Sequence, residues 1–378
     1  MESVDVRAKL QIIEAIGHGQ FSDVYKARLI ETNQSTSNDW PSSSELLSTL
    51  PSPQQQESLR EDPATRLVEK PSINQKRKSQ KPQPGQIERY VAVKRIKFYD
   101  IQSSQTRMDF KKEVELLRRL KHPNIINCLD SFMERNEMYI VLEYAGGGDL
   151  SKLIRYFRKK NQLIVERTIL KYFTQVCSAV EYIHSMRVLH RDIKPANIFT
   201  TPDGTVKLGD FGLGRFFDQN NSAHSFVGTF YYMSPERVRA SGYSFSSDIW
   251  SLGCVLYELI TLNSPFSTLV EEAAQPQDAT KRPLQQRQPI PEELPNCSTK
   301  PNPPKLVDNQ QAQQQNSPYS LPWLFERITR ADYPRLDSYN HVRNSLRHLV
   351  NLCLNPNPNT RPTITHVCRV VNEAYFGQ

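Results

Sequence analysis

The stretch Leu189-His190-Arg191-Asp192-Ile193-Lys194-Pro195-Ala196-Asn197 constrains this chain more than any other. It puts a carboxylate, an amine and a carboxamide on one short loop, and Leu208-Gly209-Asp210-Phe211-Gly212 follows soon after. Asp192 can orient a hydroxyl group and accept its proton. Lys194 can reach a transferring phosphate and steady its developing charge, and Asn197 can ligate a divalent cation. Asp210 can ligate Mg²⁺ that bridges phosphates. A lone Asp or Asn in a loop is ordinarily a turn cap. Two motifs of fixed internal spacing in this order favour the chemical reading.

Upstream features extend it. Gly17-His18-Gly19-Gln20-Phe21-Ser22 lies between two strand-like runs. Glycines let a backbone approach a polyphosphate closely and aim N–H groups at it. Ser22 stands where a third glycine is expected, and an ordinary glycine hairpin would look much the same. Lys94, in Val91-Ala92-Val93-Lys94, sits on a predicted strand and can pair the α- and β-phosphates. Glu113 lies on the next amphipathic helix and could hold that lysine in place. Most helix glutamates are merely solvated; the strand lysine before it is what gives Glu113 weight.

Two segments break the pattern: about 31–88, rich in Ser, Pro, Gln and Lys, and about 267–320, dense in Gln, Pro and Asn. Neither can bury enough apolar surface to offset the entropy of ordering, so both are expected to be disordered insertions. Removing them leaves roughly 265 residues of patterned chain, compatible with one large two-lobed domain over 10–378. Short β-type runs dominate first: Leu10–Ile16, Phe21–Leu29, Tyr90–Phe98 and Met138–Leu142. One helix interrupts them near Arg107 to Leu120, with Phe110, Val114, Leu117 and Leu120 on a single stripe. From Asp149, a candidate N-cap, helices dominate. One carries Leu170, Phe173, Val176, Cys177, Val180 and Ile183; another, near Ser247 to Ile260, is apolar nearly all round. The expectation is an α+β, bilobal architecture. A small antiparallel sheet with one helix would span about 10–142, a hinge about 143–148, and a larger helical lobe about 149–378.

The segment from Asp210 to Glu236 closes with Ser234-Pro235-Glu236. A buried Glu236 needs a charge partner, and Arg361 in Asn359-Thr360-Arg361-Pro362 is the expected one. Asp248 is expected to brace the loop around Asp192 through backbone N–H groups.

The net charge of +8 could serve nucleic acid or a membrane surface. The basic residues are spread widely, though, and no aromatic-basic recognition module occurs, so no nucleic-acid partner is expected. No apolar run approaches the roughly 18 residues of a membrane span, and Met1 to Leu10 lacks an apolar leader core. The six cysteines form no C-x-x-C pair and read as free thiols in a reducing compartment. A soluble intracellular monomer is expected.

These motifs in this order resemble the eukaryotic protein kinases. His190 to Phe199, Gly209 to Phe217, His224 to Thr229 and Tyr231 to Glu236 look more narrowly like NIMA-related kinases. Within that group the chain is similar to the short members, the sixth and seventh of the vertebrate set, and like them it ends with no coiled coil. The resemblance implies an ATP- and Mg²⁺-dependent serine/threonine kinase acting on protein substrates in mitosis or microtubule organisation. It would be cytoplasmic, nuclear or spindle-associated, and switched on by a larger relative. Ser225 matches the activating phosphoserine, with Arg191 and Arg215 as charge partners, and Thr229 would contact Asp192 and Lys194. Glu236 and Arg361 would support the substrate site. Ile16, Val24, Ala92, Leu142 and Phe199 would line the adenine slot, with Leu142 as gatekeeper and backbone groups of Glu143 and Ala145 bonding the ring edge; plain core packing would use the same apolar residues.

Four departures stand out. Phe211 replaces a usual leucine, Cys128 and Leu129 replace tyrosines of which one can block the site, Phe230 replaces a proline, and the insertions have no counterpart. Lys76-Arg77-Lys78 in the first insertion reads as a solvated charge cluster or a nuclear-import signal. Two other functions remain open. A kinase-fold scaffold would act through its insertions, and a tyrosine kinase is disfavoured by Lys194 and Thr229.

Overall fold

A computed structural model describes residues 10–18, 22–29, 89–97, 104–134, 137–211, 230–267 and 320–377. Both proposed insertions, apart from the edge residues Ser267 and Ser320, lie outside the described residues, as do Gly19, Gln20, Phe21, Arg215, Ser225 and Thr229.

Contacts divide the chain into two compact units. The first holds a five-stranded antiparallel sheet built from β1 (Leu10–His18), β2 (Ser22–Leu29), β3 (Tyr90–Lys97), β4 (Cys128–Glu134) and β5 (Glu137–Glu143). The strand order is β1-β2-β3-β5-β4. Period-two alternation gives the sheet two faces. Leu10, Tyr25, Ala27, Val91, Val93, Tyr139 and Val141 are buried on one, and α1 (Ser104–Arg119) packs against β4 with Phe110, Val114 and Leu117 buried. The opposite face carries half-buried Val24, Ala92, Lys94 and Leu142.

A short hairpin, β6 (Ile198–Thr200) with β7 (Val206–Leu208), belongs to this unit although it lies beyond the linear boundary drawn at the hinge. Backbone hydrogen bonds explain why. Leu208 N donates to Asn124 O at 2.8 Å and Ile126 N to Leu208 O at 2.9 Å; Gly147 N donates to Thr200 O at 2.7 Å and Thr200 N to Gly148 O at 2.8 Å. Gly147 could carry no side chain here, since a Cβ would lie 2.7 Å from the Thr200 carbonyl oxygen.

The second unit is helical: α2 (Leu150–Lys159), α3 (Glu166–Ser185), α4 (Pro235–Val238), α5 (Phe245–Thr261), α6 (Leu321–Arg330), α7 (Asn344–Cys353) and α8 (Ile364–Phe376). Its axis is α5, buried from Ser247 to Thr261 and opened by a capping box between Ser244 and Ser247. α5 packs on α3 and α7, and α8 packs on α3. The expected α+β composition is therefore present: an antiparallel sheet with one helix, then helices. The strands and helices whose bounds the sequence reading gave match to within about three residues; β4, β6, β7, α4, α6, α7 and α8 were not located by it.

Five of the cysteines, 128, 177, 254, 353 and 368, are buried free thiols; Cys297 lies outside the described residues. Burial pushes the Cys128 thiol up to about 12, which suits packing rather than reactivity. No described helix is long and apolar enough to cross a membrane.

One contact in α5 makes a stability prediction. A Cβ on Gly253 would sit 2.7 Å from Cys353 Cβ on α7. Gly253→Ala should thus cost about 1–3 kcal/mol through overpacking, despite alanine's better helix propensity. Urea unfolding checks it; a variant as stable as wild type would mean that the α5–α7 seam can open.

Candidate active site

In the first unit, strand pairing builds a row across the half-buried face of the sheet. Gly17 pairs with Val24, Val24 with Lys94, and Lys94 with Ile140. The next row sets Lys26 against Ala92 and Ala92 against Leu142. Directly opposed residues share a face, so Val24, Ala92, Lys94 and Leu142 are neighbours on one surface. Ile16, near the end of β1, is 44% exposed. β1 ends at Gly17 and His18, which open the glycine segment, at one end of this face. His18 and Asp23 close the strand ends with a 3.1 Å contact.

Asp23 was not foreseen. It is buried on the core face, where Arg95 Nη2 donates to it at 3.1 Å and Lys97 stands 3.8 Å away. Burial pushes its carboxyl up, but the His18, Lys97 and Arg95 contacts outweigh this and hold it below the usual range. The pair fixes β2 against β3 beside Lys94.

Lys94 Nζ forms an ion pair with Asp210. Sequence reasoning set Glu113 beside this lysine; among the described residues its ion pair runs to Asp210, while Glu113 stands half-buried on α1. The backbone accounts for the reach. Asp210 follows β7 with φ 57°, a left-handed conformation uncommon for a non-glycine residue. Asn197 is also close: its carbonyl accepts the Gly209 N–H at 3.0 Å, one residue from Asp210. Phe211 is buried. Phe199 on β6 pairs with Lys207, whose ammonium meets Glu143 Oε1 at 2.7 Å. Asn127 Nδ2 donates to the other Glu143 oxygen at 3.0 Å. The Glu143 side chain is thus tied down, and Ala145 follows two residues on.

An Asp carboxylate and an Asn amide oxygen at the two ends of the β6–β7 hairpin are hard oxygen donors, the set that suits Mg²⁺ shared with phosphate oxygens. No group of three or more His, Cys, Asp or Glu that could hold a metal by itself occurs among the described residues.

In the second unit, the loop around Asp192 is held from beneath by Asp248. Asp248 Oδ2 accepts the His190 backbone N–H at 3.0 Å, and Oδ1 accepts that of Arg191 at 3.0 Å. The expected brace is present. Two partners not foreseen complete it: His184 Nε2 at 2.8 Å from Oδ2, and the Tyr243 hydroxyl on Oδ1. A fully buried carboxylate accepting this many hydrogen bonds is held rigid. Arg191 takes φ 71°, also a left-handed conformation. Lys194 Nζ lies 2.8 Å from Asp192 Oδ2, and the Asp192 N–H donates to His190 Nδ1 at 3.3 Å.

Glu236 and Arg361 meet in a two-pronged pair, both contacts 2.8 Å, and Ser247 Oγ donates to Glu236 Oε1 at 2.6 Å. Burial pushes the Glu236 carboxyl up, but the Arg361 and Ser247 hydrogen bonds overcome this and hold it down to about 2. Phe230, in place of the expected proline, packs edge-on against Phe325 of α6 with ring centres 5.6 Å apart. The aromatic ring anchors the segment through packing where proline would have stiffened the backbone.

A family profile described as the protein kinase domain matches residues 84–376. The chain is 45% identical over 179 residues to mouse serine/threonine-protein kinase Nek1, covering 47% of this chain and 15% of that protein. It is 46% identical over 168 residues to human serine/threonine-protein kinase Nek2, covering 42% and 38%. It is 41% identical over 198 residues to the G2-specific protein kinase fin1 of Schizosaccharomyces pombe, covering 47% and 27%. The chain thus matches less than half the length of each of these relatives.

Proposed function

Since the chain belongs to the protein kinase domain family, we propose that it is a serine/threonine kinase of the NIMA-related type, transferring the γ-phosphate of ATP to protein hydroxyl groups. The observation that supports this best is the joining of Lys94 to Asp210, with Asn197 one residue away along the Gly209 hydrogen bond. An ammonium from β3 beside the two ends of the β6–β7 hairpin, which carry Asn197 and Asp210, is what a metal-bound polyphosphate requires. Mg²⁺ held by Asp210 and Asn197 would neutralise phosphate charge. Lys94 would pair the α- and β-phosphates, and the face of Val24, Ala92 and Leu142 would carry the base. Asp192 would orient the acceptor hydroxyl and take its proton, while Lys194 steadies the phosphoryl oxygens. Thr229 would reinforce that pair.

Phosphorylation at Ser225 is the switch in this reading. Arg191 Nε is buried and has no hydrogen-bond partner among the described residues. An unsatisfied donor of this kind costs about 1–3 kcal/mol. A phosphate on Ser225 would supply its acceptor and order the segment. An upstream kinase, a larger relative of the same type, would add it. The name of fin1, a G2-specific protein kinase, supports a role around G2 and mitosis; in this reading the chain would act in the cytoplasm, the nucleus or on the spindle.

The test is a degenerate peptide library with Mg-ATP. Chain phosphorylated at Ser225 should label serine and threonine peptides, and Ser225→Ala should lose at least about tenfold, the scale of an ordered activation segment. No transfer by the phosphorylated chain would refute the proposal. Transfer confined to tyrosine would replace it with the tyrosine-kinase reading.

A further inference from the structure

A cavity of about 560 Å³ opens in the helical unit between the end of α3, the start of α5 and the start of α8. It contains none of Lys94, Asp192, Lys194, Asn197 and Asp210. Its volume falls within the range of small-molecule sites. Phe245, Ile249, Pro362 and Ile364 give it apolar walls; His184 and Arg187 bring polar groups.

Its charge is biased one way. α5 starts at Phe245 and α8 at Ile364, both lining residues, and a helix N-terminus carries about half a positive charge. With Arg187 they outweigh Glu181, the acidic residue of the lining; Arg361 is neutralised by Glu236. The hydrogen-bonding capacity is biased too. His184 Nε2 faces the Asp248 carboxylate at 2.8 Å, so in the neutral ring Nε2 carries the hydrogen and Nδ1 is an acceptor. Among the described residues Nδ1 has no hydrogen-bond partner. The ring packs edge-on against Phe245, 4.8 Å between centres.

We propose that this cavity binds a small aromatic carboxylic acid bearing a neighbouring hydroxyl group, and that its occupation tightens the hold of Asp248 on the Asp192 loop. The ring would lie among Phe245, Ile249, Pro362 and Ile364, the carboxylate would face Arg187, and the hydroxyl would donate to His184 Nδ1. His184 is the link. Its Nε2 and the His190 N–H share one oxygen of Asp248, so a ligand that fixes the imidazole also fixes the carboxylate holding the His190 and Arg191 amides.

The test uses the full chain and an ortho-hydroxynaphthoate. Calorimetry should give saturable binding at about 1 mM or tighter. The uncharged naphthamide should bind about fivefold more weakly, as should Arg187→Asn, the loss expected for a partly exposed ion pair. Asparagine suits this position because Arg187 has φ 60°. Thr365→Trp, at an exposed lining position of α8, should fill the mouth and abolish binding. Hydrogen exchange should slow at His190 and Arg191 by about threefold more than in α6. This readout needs no phosphate transfer, so it stands or falls separately from the kinase proposal. No saturable binding, or equal binding to Thr365→Trp, overturns the site. Binding without selective slowing at His190 and Arg191 overturns the coupling.

Discussion

Asp192→Asn is expected to cut peptide phosphorylation about a thousandfold, within the roughly 10²- to 10⁴-fold contribution of a positioned proton acceptor, with no change in the unfolding midpoint. The substitution is nearly isosteric. Asp192 is 28% exposed at its side chain and bonded to Lys194 at 2.8 Å. An asparagine oxygen can still accept from that ammonium, and the backbone N–H can still reach His190 Nδ1. What is lost is the ability to take a proton from a hydroxyl. The half-open setting means that little buried structure depends on the charge, so activity and stability should separate. Rates of phosphorylation at saturating Mg-ATP, paired with urea unfolding, check both halves. A variant within tenfold of wild type would remove Asp192 from the proposed role. It would also strengthen the alternative that the chain acts as a binding scaffold.

Arg361→Met should do the opposite, costing about 3–5 kcal/mol of stability, as removing one partner of a buried ion pair does. The arginine side chain is fully buried. Beyond both oxygens of Glu236, it donates to Asn355 O and Ser246 O at 2.8 Å each, and its guanidinium lies 5.0 Å from the centre of the Trp250 ring. Methionine fills the volume and pairs nothing, leaving Glu236 charged and buried. The sign of the pH dependence follows. The Glu236 carboxyl falls from 4.5 to about 2 on folding, a preference for the ionised form of about 3 kcal/mol. A lowered folded value stabilises above the unfolded value and is lost as pH falls through the folded one. The stability gap between wild type and Arg361→Met should therefore be full above about pH 5 and narrow toward about pH 2. A gap that is small at neutral pH, or flat down to pH 2, would show that packing on Trp250 rather than charge carries the role of Arg361.

Much of this was legible in the sequence where chemistry and periodicity coincide. The stripe of Phe110, Val114, Leu117 and Leu120 announces α1 because burial at helical spacing leaves few other solutions. The Glu236–Arg361 pair was legible across the chain because a buried carboxylate needs a cation. β4 was hidden for a specific reason: its inward positions are Cys128, Asp130 and Phe132, and an aspartate breaks the apolar alternation. Asp130 is tolerated there with Arg118 Nη2 3.5 Å away, a partner from α1 that no local pattern reveals. His184 was illegible for the same kind of reason. At the end of α3 it is one more polar residue until Asp248 is seen beside it. The Lys94 partner shows the limit of reading order alone, since the left-handed turn at Asp210 decides which carboxylate reaches the ammonium.

The pairing of β2 with β3 bears on how the chain reaches its native state. Leu29 N donates to Arg89 O at 2.9 Å, so about sixty residues of chain are closed by what could have been a tight hairpin. Closure entropy grows only with the logarithm of length, so the detour costs about 2 kcal/mol over a five-residue turn. The native sheet can bear that. Its kinetics change more, because an early, local step becomes a search between distant partners. Val24 and Lys94 can meet only after that search ends. The surface proposed to carry the nucleotide base would then be among the last parts of the sheet to assemble, and a nascent chain would remain unable to hold nucleotide until it had.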